Sequence, residues 1–581
     1  MWKVGPALRN KRVLYCENTN VPPTSPIVWQ DMSKGLPPVP INKLEYVKGS
    51  DDVIFAATDI GVYRWNKAAG EWQCFQNGMP NAIVTDIQVH YCSGKLRAAT
   101  YGRGIWESDI SPDLNNYYNF APYYDTIFAN TLWDENKTIS GSIRVRTGAT
   151  LTISAATIFM PRNGRIHLEQ GANLVIEQGS VLTNNCDNVS WAGIEMHGMA
   201  GVNQSIGTHS KVTIRDSSII RHARIGIADY SEEYGYNGGG IIDIEDAIFE
   251  NCYRAIGFND YSFTANISRI KNAYFNITDA YKFVNMDDKD HLSVFNEYGI
   301  DIENCVFEDN RTFSGLGVSP IVALAHIQKY YNGIYLYRAA VSTNNCNFNK
   351  LEKGIVHESD FLNTDYQTNV YNSTFDLVAE SVTMKDNTNV VAFNTINDIH
   401  DYYLALPGPG GMYINKTGIY QEHVGVSTTY GNTINYMSPF VSLAPRLGVV
   451  SNGTADALTS ALYGLHNIDI SSNNIFQSKI GIQTQGHNIF LKLKCNQFNQ
   501  NGIALSINPE SPWGDLAHQG TGFGTTDWRS LNNFTTNWFD VYFGLDGSSP
   551  NTVFPVKYYA LAPTPTHSSI PQSIFGFTGN F

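Results

Sequence analysis

Charge is scarce in this chain of 581 residues: Asp, Glu, Lys and Arg make up 16% of it, and the formal net charge is −14. Such a balance argues against a nucleic acid or an anionic membrane as partner, since both require basic patches. Long apolar runs are missing as well. No stretch of about 18 apolar residues occurs, so no membrane span is expected. The opening MWKVGPALRNKRVLYCENTN has no apolar core of signal-peptide length. Cysteine is sparse, with 8 residues and no CxxC pair, which excludes a disulfide scaffold. Gly-x-Ser-x-Gly, P-loop, HExxH and zinc patterns are absent, so no motif declares a catalytic centre. What is abundant is hydrophobic residues, at 43%, together with 49 Gly, 33 Tyr and 29 Phe and many Asn, Ser and Thr. That profile favours strands and turns over helices.

Two repeats of different period organise the chain. IFAATDIGVYRW (Ile54 to Trp65) returns as LRAATYGRGIW (Leu96 to Trp106), and WQDMSKGLP (Trp29 to Pro37) returns as WQCFQNGMP (Trp72 to Pro80), 43 residues on. A period of about 40–45 residues with several short strands is that of propeller blades. These residues resemble the last blades of a bacterial sialidase-like propeller, in which a phrase like TYGRGIW (Thr100 to Trp106) closes the ring; RWNKAAGEW (Arg64 to Trp72) stands where an Asp box would be, keeping Gly70 and Trp72 only. Two blades and a scrap of a third are fewer than the four a closed propeller needs. The chain is therefore expected to begin inside a propeller and to be part of a larger protein. A stand-alone pair of small sheets is the alternative.

The second repeat is shorter. IRVRTGATLTI (Ile143 to Ile153) is echoed by IHLEQGANLVI (Ile166 to Ile176), and a unit of the form apolar-x-apolar-x-x-small-x-apolar recurs from Val212, Ile242, Ser268, Ile300, Val341, Thr368, Ile468 and Leu491. Several units are followed by a strand beginning Gly-Ile, at Gly226, Gly354, Gly481 and Gly502. Stacked strand-turn-strand units without helices predict a right-handed parallel β-helix. The fifth position (Asp216, Asp246, Asn272, Asn304, Asn345, Asn372) suits a left-handed turn. The sixth (Ser217, Ala247, Ala273, Cys305, Cys346, Ser373, Asn473, Asn496) suits a tight inward bend. Cys305 and Cys346 fall on coils that could be adjacent; reduced core thiols are favoured over a disulfide.

The segments LWDENKTISGSIRVRTGATLTI (Leu132 to Ile153), WAGIEM (Trp191 to Met196) and GDLAHQGTGFG (Gly514 to Gly524) resemble the β-helix proteins that bacteria export by the type IX secretion route. That resemblance implies a modular secreted or cell-surface chain, although the C-terminal sorting domain of those proteins is missing here. The expected fold class is all-β: partial propeller-like blades over 1–108, a Tyr-rich connector over 109–131, a right-handed parallel β-helix with a C-terminal cap over 132–560, and a linker or tail over 561–581. Further domains are expected at both ends.

Candidate chemistry lies on outward positions, which alternate with the apolar ones. Three successive units place Asp243 and Glu245, then Arg269 and Lys271, then Asp301 and Glu303, in an acid-base-acid ladder. In a lyase or hydrolase such acids would hold Ca²⁺ or act as acid and base, and a basic residue would take a proton beside a uronate. Cross-strand charge pairing is the simpler account and is favoured. Asp287, Asp288 and Asp290 cluster with His291 and offer oxygen ligands for Ca²⁺, but without EF-hand spacing, so a solvated turn is expected. His466 and His487 read as turn residues. Tyr117, Tyr118, Tyr123 and Tyr124 could stack on sugar rings, or pack connector against first coil. No cofactor is implied beyond that optional Ca²⁺.

The expected function is an extracellular or cell-surface binding module, with a polysaccharide or cell-surface glycan as partner. A polysaccharide lyase or glycoside hydrolase is the alternative, with Ser381 to Thr428 and Met437 to Leu465 as groove-wall inserts. A structural spacer is the third reading.

Overall fold

The computed structural model describes residues 2–8, 11–16, 28–47, 50, 52–90, 93–110, 124–139, 141–184, 190–205, 207–231, 235, 237–281, 290–311, 331–360, 367–398, 416–436, 446–453, 467–485, 491–508, 532–535, 537, 539–543 and 574–575. Regular structure among them is all strand.

From Tyr124 onward every strand pairs in parallel, coil on coil, as a right-handed parallel β-helix. Each coil contributes to three sheets. Sheet A starts with Tyr124–Ile127 and Ser142–Val145, sheet B with Thr131–Trp133 and Thr150–Ser154, and sheet C with Lys137–Thr138 and Thr157–Met160. Sheet C reaches 14 strands. The strand Asp290–Glu303 runs unbroken from sheet A into sheet B.

Alternation puts one apolar column per sheet into the bore. In sheet C that column is aromatic: Phe249, Phe275, Phe307, Phe348 and Phe375 are buried and stack with centroids 5.1, 4.6, 4.9 and 4.7 Å apart. Each buried ring contributes about 1.5–3 kcal/mol of transfer energy. The facing strand of sheet A makes room for it. A Cβ on Gly354 would lie 2.7 Å from the Phe375 ring and 2.4 Å from the Ser381 carbonyl oxygen. Further on, asparagine replaces small residues at the bend: the side-chain oxygens of Asn432, Asn473, Asn496 and Asn532 each accept from the amide of the Asn one coil below. Their amides also donate to main-chain carbonyls, such as Asn432 to Val391 at 2.9 Å.

The fifth-position turn residues from Asp246 to Asn372 all have positive φ, as their residue types suggest. The Val212 unit differs. Asp216 and Ser217 are both left-handed there, so an extra residue enters the corner, and Ser218, not Ser217, opposes Ala247 in the inward column. Gly502 is likewise out of column: Ala504 and Leu505 take the places of Gly481 and Ile482. The two segments expected to be groove walls contain ordinary coil strands, among them Thr388–Ala392, Lys416–Glu422 and Arg446–Asn452. Cys305 and Cys346 do lie on adjacent coils, buried and as free thiols.

Ahead of the coils stand three antiparallel sheets. The middle one runs Ile41–Tyr46, Ile54–Thr58, Gly61–Asn66, Glu71–Cys74. Its Ile54, Ala56 and Trp72 pack on the preceding sheet, with Val13, while Phe55 and Ala57 pack on the following one, with Leu96 and Ala98. The 43-residue repeat thus corresponds to face-to-face stacking of like sheets.

Candidate functional site

The acid-base-acid ladder forms in the expected register on the outer face of sheet B. Asp243, Arg269 and Asp301 are direct neighbours, as are Glu245, Lys271 and Glu303. Lys271 pairs with Glu303 at 2.6 Å, and Asp243 is taken by Lys211 at 2.7 Å. All six side chains are at least partly open to solvent, and the ladder is a run of alternating charges on a flat surface.

Tyr117, Tyr118, Tyr123, Asp287, Asp288, His466 and His487 lie outside the described residues. Tyr124 opens the first strand of sheet A, paired to Ser142. Asp290 and His291 correct the expected solvated turn at its C-terminal end, because both are buried at the start of the strand Asp290–Glu303. The Asp290 carboxylate is held by Arg254 at 3.4 Å and by Asn332 at 2.9 Å, which satisfies it without an ion. Burial pushes His291 down to about 3, so its imidazole is neutral and its Nε2 donates to the Glu308 carbonyl at 3.2 Å. Among the described residues no group of three or more His, Cys, Asp and Glu side chains is placed to hold a metal ion.

A more enclosed set of polar groups lies on the outer face of sheet A, beginning with the strands Arg165–Leu168 and Trp191–Met196. Ile166 and Ile194 point into the bore, so His167 and Glu195 point out; yet His167 is fully buried. Glu195 is held by Arg165 at 2.6 Å and by the Ser231 hydroxyl at 3.3 Å, with His167 Nδ1 at 3.9 Å. Burial alone would raise its carboxyl. The neighbouring His167 and Arg165 outweigh burial and hold it below the ordinary glutamate value. Beside this group the ladder of sheet A is bulged between Gly193 and Ile194. Gly193 has a φ of 116°, and a Cβ there would lie 1.6 Å from the Ile225 carbonyl oxygen. Beside it lies a pit of about 30 Å³, lined by Arg165, Ala192, Glu195, Arg224, Ile225 and Tyr230 among others.

Two to three strands further along the same sheet, at about 4.8 Å per strand, three half-buried rings form a shelf. Phe295 lies 5.8 Å from Tyr335 and 6.2 Å from Tyr337. The Arg254 guanidinium sits 6.0 Å from the Phe295 ring. The Tyr335 hydroxyl donates to Glu358 at 3.3 Å, and Asp360 accepts from both Tyr337 and Arg338.

Between pit and shelf lies a buried carboxyl pair, Asp229 and Glu297. Asp229 accepts the backbone N–H groups of Gly239 and Asn259, each at 3.0 Å, and Glu297 accepts from the Asn266 amide at 2.7 Å. Burial pushes Asp229 up to about 7, and burial with the charge of Asp229 pushes Glu297 well above the ordinary glutamate value.

Neither pit, shelf nor pair was evident from the unit template, which follows the sheet B strand and its bend. The signal was nonetheless present: His167, Glu195, Phe295, Tyr335 and Tyr337 are polar or aromatic residues alternating with apolar ones in the second strand of each coil.

No protein-family model and no curated protein matches the chain. Among solved structures it is similar to a tailspike protein of E. coli bacteriophage HK620 in complex with a hexasaccharide, at 10% identity and a TM-score of 0.32, over 70% of this chain and 69% of that one. Another form of that tailspike, in complex with a pentasaccharide, matches at 11% identity and a TM-score of 0.27, with 60% of its length spanned. The periplasmic alginate epimerase AlgG matches at 11% identity and a TM-score of 0.21, over 70% of this chain and 77% of that one. At such scores the likeness carries no weight for function.

Proposed function

We propose that the chain is a glycan-binding module of a secreted or cell-surface protein, with the outer face of sheet A as its contact surface. The observation that carries this reading is the shelf of Phe295, Tyr335 and Tyr337, whose ring edges are tied to Glu358 and Asp360. Apolar ring faces beside fixed carboxylates and a guanidinium match a sugar, which has an apolar C–H face and a rim of hydroxyls. The shelf stands on sheet strands, so it is preorganised. Coils repeating at about 4.8 Å let one extended polymer meet several contacts in a row. The stacked front sheets fit blades of a sialidase-like propeller, the other half of such a modular surface chain. The chain's net negative charge speaks against nucleic acid.

Cleavage is the second reading, supported by the half-enclosed Glu195 beside Arg165 and His167. One experiment separates the two. The purified chain is offered a panel of immobilised polysaccharides, and the supernatant is analysed by mass spectrometry with and without Ca²⁺. Retention without released oligosaccharides is expected, lost by about tenfold or more when Phe295 and Tyr337 are both changed to Ala. Asp301→Ala, on sheet B, leaves retention unchanged and costs about 0.2–1 kcal/mol of stability. Unsaturated or hydrolysed products would establish the enzyme reading instead. Absence of both retention and products would leave a spacer.

A further inference from the structure

We propose that the pit beside Gly193 seats the anionic group of an acidic sugar, so that the glycan taken by sheet A is an anionic polysaccharide. The inference rests on sheet A being the glycan face and deepens it by naming the ligand class.

Charge is the first argument. The lining carries two guanidinium groups, Arg165 and Arg224, against one carboxylate, Glu195. Arg165 spends its Nη1 on Glu195, while its buried Nε has no acceptor. Arg224 is exposed and makes no ion pair among the described residues. One guanidinium, that of Arg224, therefore stands uncompensated at the mouth of the pit. A guanidinium fork binds planar or tetrahedral oxyanions through paired, charge-assisted hydrogen bonds.

Size is the second argument. The free space of about 30 Å³ is larger than the ~10–15 Å³ one water needs, and far smaller than a sugar ring. It admits a carboxylate or sulfate while the ring stays outside. The ladder bulges beside the pit at Gly193, where close approach of the Ile225 carbonyl admits no side chain.

Continuity is the third. The strand Ala223–Ala228, which carries Arg224, lies two strands from Asp290–Glu303 and three from Asn332–Tyr337, which carry the shelf. That is roughly 10–15 Å at the spacing of parallel strands, within reach of one short oligosaccharide. An anion in the pit and a ring on the shelf can belong to the same chain.

The test uses the full chain and three sets of oligosaccharides: uronate-bearing, sulfated and neutral. Binding is measured by calorimetry at two salt concentrations, for the wild type, Arg224→Gln, Arg224→Lys and Tyr337→Ala. Arg224→Gln is expected to weaken acidic ligands by about 10- to 100-fold, the worth of a charged hydrogen bond, and to reduce their salt dependence. Neutral ligands should be unaffected by it, and Arg224→Lys should recover part of the loss. Preference for the uronate or the sulfated set tells which anion the pit takes. Equal binding of acidic and neutral sugars, or no effect of Arg224→Gln on acidic ones, would overturn the seat. If Tyr337→Ala still weakens every ligand in that case, the glycan face survives without it. Binding of no glycan at all would remove both.

Discussion

Asp229 and Glu297 are two acids buried side by side, with backbone N–H groups and one amide for company. Buried carboxyls of this kind resist ionisation, because the charged form loses its water. In the unfolded chain Asp229 would titrate near its model value of 3.8; folded, it titrates at about 7. Between those values the folded state binds more protons than the unfolded state, so stability falls as pH rises through that interval. Glu297, raised as well, adds a loss of the same sign. The melting temperature of the coil region should therefore decline from about pH 4 to about pH 7 through this pair. Glu297→Gln removes one of the two buried acids, and the decline should be visibly shallower. A variant as steep as the wild type would show that the pair does not set the pH dependence.

At the scale of an element, two ladders hold successive coils together by different physics. The phenylalanine column works by burial and stacking, and Phe307→Ala should cost about 3–5 kcal/mol in urea unfolding. The asparagine column works by satisfaction of buried groups. Asn432 donates to Val391 and Asn473 and accepts from Asn394, all out of water. Asn432→Ala should cost about 1–3 kcal/mol for each group left unpaired. Were the loss no greater than that of an exposed Asn→Ala such as Asn435→Ala, the ladder would be ornamental. The first column was legible in the sequence as the last apolar position of the unit; of the second, Asn473 and Asn496 were placed at the inward bend, but their bonding to one another was not. Alternation of apolar and polar residues announces a strand, and the coils over 381–452 break it by carrying Gln421, Ser451, Ser427 and Thr429 in buried positions. Gln421 donates to Ser427 and Thr429 inside the bore, so polarity there marks a network and not a loop. The same limit hid the site. The ladder at Asp243 to Glu303 repeats with the unit and could be read directly, whereas the pit lies beside a one-residue bulge at Gly193 and is lined by side chains from strands 30 residues apart.

The whole molecule has separate cores. One runs without interruption from Trp133 to Phe534 through the bore of the coils. The others, from Val13 to Ile110, are sandwiched between the front sheets and joined through the middle sheet, whose two faces serve both. Among the described residues none belongs to both systems. Cooperativity follows shared burial: a stack of coils couples each unit to its neighbours, but it does not couple to sheets whose apolar faces are turned on one another. All-or-none unfolding of the entire chain is then not expected. Calorimetry should resolve two transitions. Phe307→Ala should lower only the one belonging to the coils, and Phe55→Ala, also worth about 3–5 kcal/mol, only the one belonging to the front sheets. The Glu297→Gln effect on pH dependence should appear in the coil transition alone. A single transition moved by both substitutions would mean that contacts beyond these cores bind the two parts into one folding unit.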